Sequence, residues 1–178
     1  MANAYSLKEF QESLARRLRD ASVEPAPDSR LAVQTGSMQW LLRLDEVGEI
    51  MPMSQLAGRI AAVPLTRPWY SGQANVRGKL VSVVDFSLFA GGAPATPSAA
   101  SRVVLIAERF QFHGALLVDR MVGLRNRARF TAAAATTDAG ESRPAWQGEA
   151  LQDRDGALWR ELNIAALVTD ETFLKAGY

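Results

Sequence analysis

The segment "WYSGQANVRGKLVSVVDFSLFAGG", Trp69 to Gly92, decides how this chain is read. Its centre, Asn75-Val76-Arg77-Gly78, carries turn chemistry, because Asn and Gly both tolerate positive φ. The residues behind it, Leu80 to Phe86, are β-branched, apolar and about strand length. A short charged turn between two apolar segments is first of all a hairpin. Arg77 at its tip needs further support before it counts as functional.

Outward from this point the pattern stays short and alternating. Leu31, Val33 and Thr35 alternate, Gly36-Ser37 turns the chain, and Met38, Trp40, Leu42 and Leu44 alternate again, which predicts a hairpin with one inward face. Val47 to Met53 forms another apolar stretch, and Pro52 places its end at an edge or turn. Strands are predicted at Arg102–Ala107 and Phe112–Val118, with Glu108 to Gln111 as the turn, and again at Ala157–Leu162. Ile164–Val168 and Thr172–Lys175 read as short helical turns. The small-residue stretches Ala90–Ser101 and Thr131–Pro144 suit flexible surface connections. Many short strands with turns between them mean a barrel or sandwich.

The N-terminal segment breaks this pattern. Ser6 and Glu9 have capping-box spacing, and Leu7, Phe10, Leu14 and Leu18 recur at helical steps. An amphipathic helix with a Pro-rich linker is therefore expected over residues 1–29, ahead of a β-domain over 30–178. Deleting Met1 to Asp28 is expected to leave that domain folded.

Composition narrows the function. The 178 residues suffice for a buried core, and a net charge of +1 provides no global field for nucleic acid or an anionic membrane. No cysteine is present, and the single histidine, His113, is read as a structural residue in an apolar strand. Thiol chemistry, a hydrolytic dyad and a histidine-rich zinc site therefore lack material. No Gly-rich phosphate loop occurs. An enzyme is not expected, nor a cofactor or metal. Asp45, Glu46 and Glu49 read as a solvated acidic edge. No window reaches membrane-spanning length and the N-terminus lacks a signal-peptide pattern, so the cytoplasm is the expected location. Arg125, Arg127 and Arg129 alternate in "RNRARF", and on a strand would share one face beside Phe130, as in a small barrel binding single-stranded nucleic acid.

The segments together resemble the CheW-like coupling proteins of bacterial chemosensory arrays. "VPLTRPWYSGQANVRGKLVSVVDFSLFAG" from Val63 resembles the family's Asn-x-Arg-Gly turn and the apolar strand ending in Asp. Val47-Gly48-Glu49-Ile50 resembles its Val-x-Glu-Ile, "RVVLIAE" and "LLVDRMVGL" its paired strands, and "ELNIAALV" its closing strand and helix. The matches run in order from about Arg30 to Leu174. Within the family, the Asn-Val-Arg-Gly form and the N-terminal helix look most like the adaptor of type IV pilus twitching motility. Ser82 stands where the family usually has proline.

The resemblance implies a mainly β fold of two small SH3-like barrels around a shared hydrophobic core. It implies a non-catalytic adaptor, cytoplasmic at membrane-associated receptor arrays, joining a chemoreceptor's cytoplasmic tip to the regulatory domain of a CheA-like histidine kinase. No direct membrane insertion and no nucleic-acid partner are implied. Carried over by position, Val47, Glu49, Arg77 and the Val81–Asp85 strand fall in the interaction and barrel-junction region. Gly72 and Gly78 allow close backbone approach beside Asn75, while Val103, Met121 and Leu124 fall at the receptor groove. Arg77 has two readings, a contact for a partner or a brace between the barrels through Glu49. The alternative class remains a small-barrel binder of single-stranded nucleic acid.

Overall fold

The computed structural model describes residues 28–133 and 143–178; the predicted N-terminal helix lies outside them, as does most of the Thr131–Pro144 connection. The predicted first hairpin forms as β1 (Ser29–Thr35) and β2 (Met38–Arg43), with Gly36 at φ 55 taking the turn position that needs a positive φ. A 3-10 turn at Leu44–Glu46 leads into β3 (Val47–Pro52), which ends at Pro52 on a sheet edge. The opening segment forms β4 (Tyr70–Val76) and β5 (Lys79–Asp85), followed by a one-turn helix, α1 (Phe86–Phe89). Then come β6 (Arg102–Ile106), β7 (Gly114–Val118), β8 (Arg120–Asn126), the two-residue β9 (Thr131–Ala132), β10 (Gln147–Gln152) and β11 (Leu158–Leu162). Two short helices, α2 (Ile164–Leu167) and α3 (Glu171–Leu174), follow.

These strands make two sheets, ordered β8-β1-β2-β11-β10-β9 and β3-β6-β7-β5-β4. In the first, the end strands β8 and β9 are consecutive in the chain, joined by a 3-10 turn at Arg127–Arg129, so the sheet curls back on itself. In the second, the edge strand β4 is covered by the connection from β3 through an Ala61↔Gln73 bridge.

Three apolar cores explain why the middle strands read as continuous apolar runs. On β7, Leu116 and Val118 face the core shared by the two sheets, while Ala115 and Leu117 face the interior of the five-stranded sheet. β1 divides likewise: Leu31 and Val33 enter the shared core, and Ala32 enters the six-stranded sheet with Leu41, Phe130, Leu151 and Trp159. A strand buried on both faces loses the polar half of its alternation. The single inward face expected for the first hairpin is therefore corrected to two. The architecture is the expected one, two barrel-like sheets around a common core.

Several local expectations are also corrected. Glu46 is no solvated edge residue: it is 5% exposed, and its Oε2 accepts the Ile164 backbone N–H at 3.1 Å, tying the β2–β3 link to α2. The strand expected through Phe86 stops at Asp85, whose carboxylate caps α1 through the Leu88 N–H and also accepts the Ala95 N–H at 2.8 Å. That second bond pins the Ala90–Ser101 connection, which is exposed but not loose. His113 lies just before β7 and is exposed, so it is no core residue.

The β10–β11 turn is fixed by Asp153, which accepts the Asp155 and Ala157 N–H groups on one oxygen and the Trp159 indole on the other. Burial pushes its acid strength the wrong way, but the indole, the two amides and the Arg125 charge hold its pKa below the ordinary 3.8. A depressed folded-state pKa contributes stability above the unfolded value and loses it as pH falls through the folded value. Asp153→Asn is therefore expected to lower stability at pH 7. It is also expected to flatten the acid limb below about pH 3.8 in denaturation curves compared with the parent chain.

Candidate functional site

One end of the five-stranded sheet collects the β4–β5 turn, the β6–β7 loop and the start of β3. This follows from topology, since β5 and β7 run parallel from that end and Val47 pairs with Ile106 there. The turn is a two-residue hairpin between Val76 and Lys79. Arg77 has φ 51 and Gly78 φ 82, the paired left-handed geometry that matches the strand twist. The sequence reading placed the positive φ on Asn75 and Gly78. In the structure Asn75 stays in β4 and stabilises the turn by accepting the Gly78 N–H on Oδ1 at 2.8 Å. A non-glycine residue in that conformation is strained, and here the strained residue is the arginine.

Arg77 Nη2 donates to Glu49 Oε1 at 2.7 Å, with the arginine side chain 78% exposed. The pair joins the β4–β5 turn to β3, the two edges of one sheet, and so closes a single barrel rather than bracing one barrel against the other. Exposed pairs of this kind contribute about 0.2–1 kcal/mol. An internal brace between barrels is thereby excluded, and Arg77 keeps most of its donor fork turned to solvent.

Other charges rim the same end. Lys79 pairs with Glu108, whose carboxyl is held below its usual range mainly by the lysine's hydrogen bond and then by its charge. Arg109 Nη1 reaches Asp45 at 2.9 Å and its Nη2 approaches the buried Glu46 at 4.0 Å. Asp45 is lowered chiefly by its hydrogen bond from Arg43, against a burial effect of opposite sign, with further help from Arg109. Amid this rim Leu80 is 59% exposed. These residues escaped the sequence reading. Leu80 belongs to an apolar run and shares a face with Ser82 and Val84, but that face leaves the shared core toward the barrel end.

The sequence-derived site residues divide accordingly. Val47, Glu49, Asn75, Arg77 and Gly78 assemble at this end, Val47 half-buried against the shared core. Met121 and Leu124 are 45% and 57% exposed on β8, in the other sheet. Two assignments are corrected as contact residues. Val103 is 0% exposed inside the five-stranded core, and Gly72 is buried. Gly72 serves the close approach: its φ is 129, and a Cβ there would lie 2.3 Å from the Ala61 carbonyl oxygen.

The arginine row in "RNRARF" does not form one face. Arg125 is the second-last residue of β8, whereas Arg127 and Arg129 lie in the 3-10 turn. Arg127 is committed internally, donating to Glu161 at 2.9 Å and Glu149 at 2.6 Å. The stacking platform that the nucleic-acid alternative required is absent from this strand. Among the described residues no helix is long and apolar enough to cross a membrane.

Comparison with known proteins agrees with this geometry. The family model of the CheW-like domain matches residues 30–172. Protein PilI of Pseudomonas aeruginosa is 29% identical over 98 residues, which cover 55% of this chain and 52% of that relative, so the match spans about half of its length. The crystal structure of the scaffolding protein TtCheW from Thermoanaerobacter tengcongensis superposes with a TM-score of 0.59 at 16% identity, covering 78% of this chain and 90% of that one. At that identity the likeness is one of fold. With the family model spanning both sheets, the chain belongs to the CheW-like domain family.

Proposed function

We propose that this chain couples the cytoplasmic tip of a chemoreceptor to the regulatory domain of a CheA-like histidine kinase, and that it does so without catalysis. The array it serves controls type IV pilus motility, a reading supported by the likeness to PilI over half of each chain. Its place is the cytoplasm, at membrane-associated receptor arrays. The observation that carries the proposal is Arg77, exposed, held by one carboxylate and fixed in a strained hairpin turn at a charged barrel end. A rigid turn presents a guanidinium with little ordering left to do on binding. The apolar, exposed Met121 and Leu124 on β8 offer the second contact, toward the receptor helix.

Arg77→Ala tests this. Stability in chemical denaturation is expected to change by no more than about 1 kcal/mol, because the Glu49 pair is exposed. Affinity for the kinase regulatory domain is expected to fall roughly ten- to a hundredfold, the equivalent of a charged hydrogen bond of about 1.5–3 kcal/mol. Arg77→Lys should recover only part of it, keeping charge but losing the fork. Unchanged binding in a titration calorimeter would remove Arg77 from the coupling surface.

A further inference from the structure

Of the eight large apolar side chains exposed among the described residues, Val63, Leu65, Leu174 and Tyr178 belong to two short segments held against each other. The Tyr178 N–H donates to the Leu65 carbonyl at 3.1 Å, the Arg67 N–H donates to the Ala176 carbonyl at 2.6 Å, and Thr66 bridges to Gly177. The Thr66 hydroxyl closes the loop onto the Val63 carbonyl at 2.8 Å. This patch is built rather than frayed. At its centre Leu65 is 82% exposed with φ 60, a conformation that a branched side chain adopts at a cost. Leu65 packs into none of the three cores. The fold thus maintains backbone strain at a residue whose side chain contributes nothing inside the molecule.

The charges of the patch point to its occupant. The connection from Met53 to Trp69 carries Arg59 and Arg67 and no acidic residue. Neither arginine makes an ion pair among the described residues, and Arg67 lies over the Tyr178 ring at 5.0 Å. The acids across from it are already committed, Asp170 to capping α3 and Glu171 to Lys175 at 2.9 Å. The patch is therefore apolar at its centre, and the charge beside it that lacks an ion-pair partner among the described residues is the Arg67 guanidinium. The patch lies at the far end of β4 from Arg77, and seven strand residues span roughly 20 Å.

We propose that Val63, Leu65, Leu174 and Tyr178, with Arg67, form a second docking surface for an acidic partner segment bearing apolar anchors. Leu65 is the anchor residue and Arg67 selects for acid. The surface is separate from the Arg77 end and stands whether or not that end couples receptor and kinase.

The test uses the full chain and two labelled amphipathic peptides, one of leucine and glutamate, the other with lysine replacing glutamate. In fluorescence anisotropy the acidic peptide is expected to bind at least tenfold more tightly. Leu65→Gly is expected to cost at least tenfold in that affinity while leaving the melting temperature equal or higher, because glycine accepts φ 60 without strain. Arg67→Ala is expected to erase the preference for acid, and Arg77→Ala to leave it intact. Equal binding of the two peptides, or acidic binding indifferent to Leu65→Gly, would overturn the proposal. So would self-association in sedimentation velocity that Leu65→Gly abolishes, which would make a second copy the occupant.

Discussion

Gly72→Ala is expected to lower the free energy of unfolding by about 3–5 kcal/mol, combining backbone strain of about 1–3 kcal/mol with overpacking of similar size. Two costs coincide at this residue. Its φ of 129 lies where side chains are rarely accommodated, and the added Cβ would stand 2.3 Å from the Ala61 oxygen and 2.8 Å from the Ala61 carbonyl carbon. The obstructing atoms are backbone, and they are fixed by the reciprocal bonds of the bridge, Ala61 N–H to Gln73 at 2.7 Å and Gln73 N–H to Ala61 at 2.9 Å. Relief therefore requires the connection to lift off β4. Chemical denaturation of the variant checks the magnitude; a loss under about 1 kcal/mol would mean that the connection yields freely.

Trp40→Ala is expected to be at least as damaging. The indole is fully buried in the shared core, 5.2 Å from the Phe86 ring and 6.0 Å from Trp146. Removing it costs about 3–5 kcal/mol by the usual large-to-small rule. It also orphans the Thr35 hydroxyl, buried at 2% exposure and bound by the indole N–H at 2.9 Å. Trp40→Phe separates the two effects: it retains most of the packing and leaves the hydroxyl unpaired, for a loss of about 1–3 kcal/mol. In thermal unfolding the alanine variant should melt roughly 6–20 °C lower, at about 2–4 °C per kcal/mol for a chain of this size. Because Trp40 lies in the core to which both sheets contribute, coincident loss of both is expected; separate transitions would deny the common core.

The sequence carried the fold at the positions where burial is one-sided or turn chemistry is strict. Gly36, Gly78 and Pro52 all end or reverse strands as their chemistry requires. β10 was not foreseen, because "QGEALQ" places only Leu151 in a core and offers no alternation. The burial of Glu46 was equally invisible, since its partner is a backbone amide 118 residues away. Ser82, standing where the family has proline, turns out to use its N–H, donating to the His113 carbonyl at 3.0 Å.

The candidate site was legible in part. Arg77, Asn75, Gly78 and Glu49 come together as a local motif and one long-range pair, and the pair was anticipated. What failed was the placement of Val103, carried over by position, at a contact surface. Val103 and Val104 are adjacent, and each is buried in a different core, so no outward position exists there. Lys79, Glu108 and Arg109 form the rim only because the β4–β5 turn and β6–β7 loop meet at one barrel end, and pairing between distant strands is not encoded in local spacing.

The coupling role is tested most directly by the mass of the complex in size-exclusion chromatography with light scattering. The chain is mixed with a CheA-like kinase regulatory domain and a chemoreceptor-tip fragment from the same chemosensory system. The predicted result is one species containing all three proteins, from which Arg77→Ala releases the kinase domain while remaining folded. A chain that elutes alone, with neither the receptor tip nor the regulatory domain, would contradict the adaptor reading.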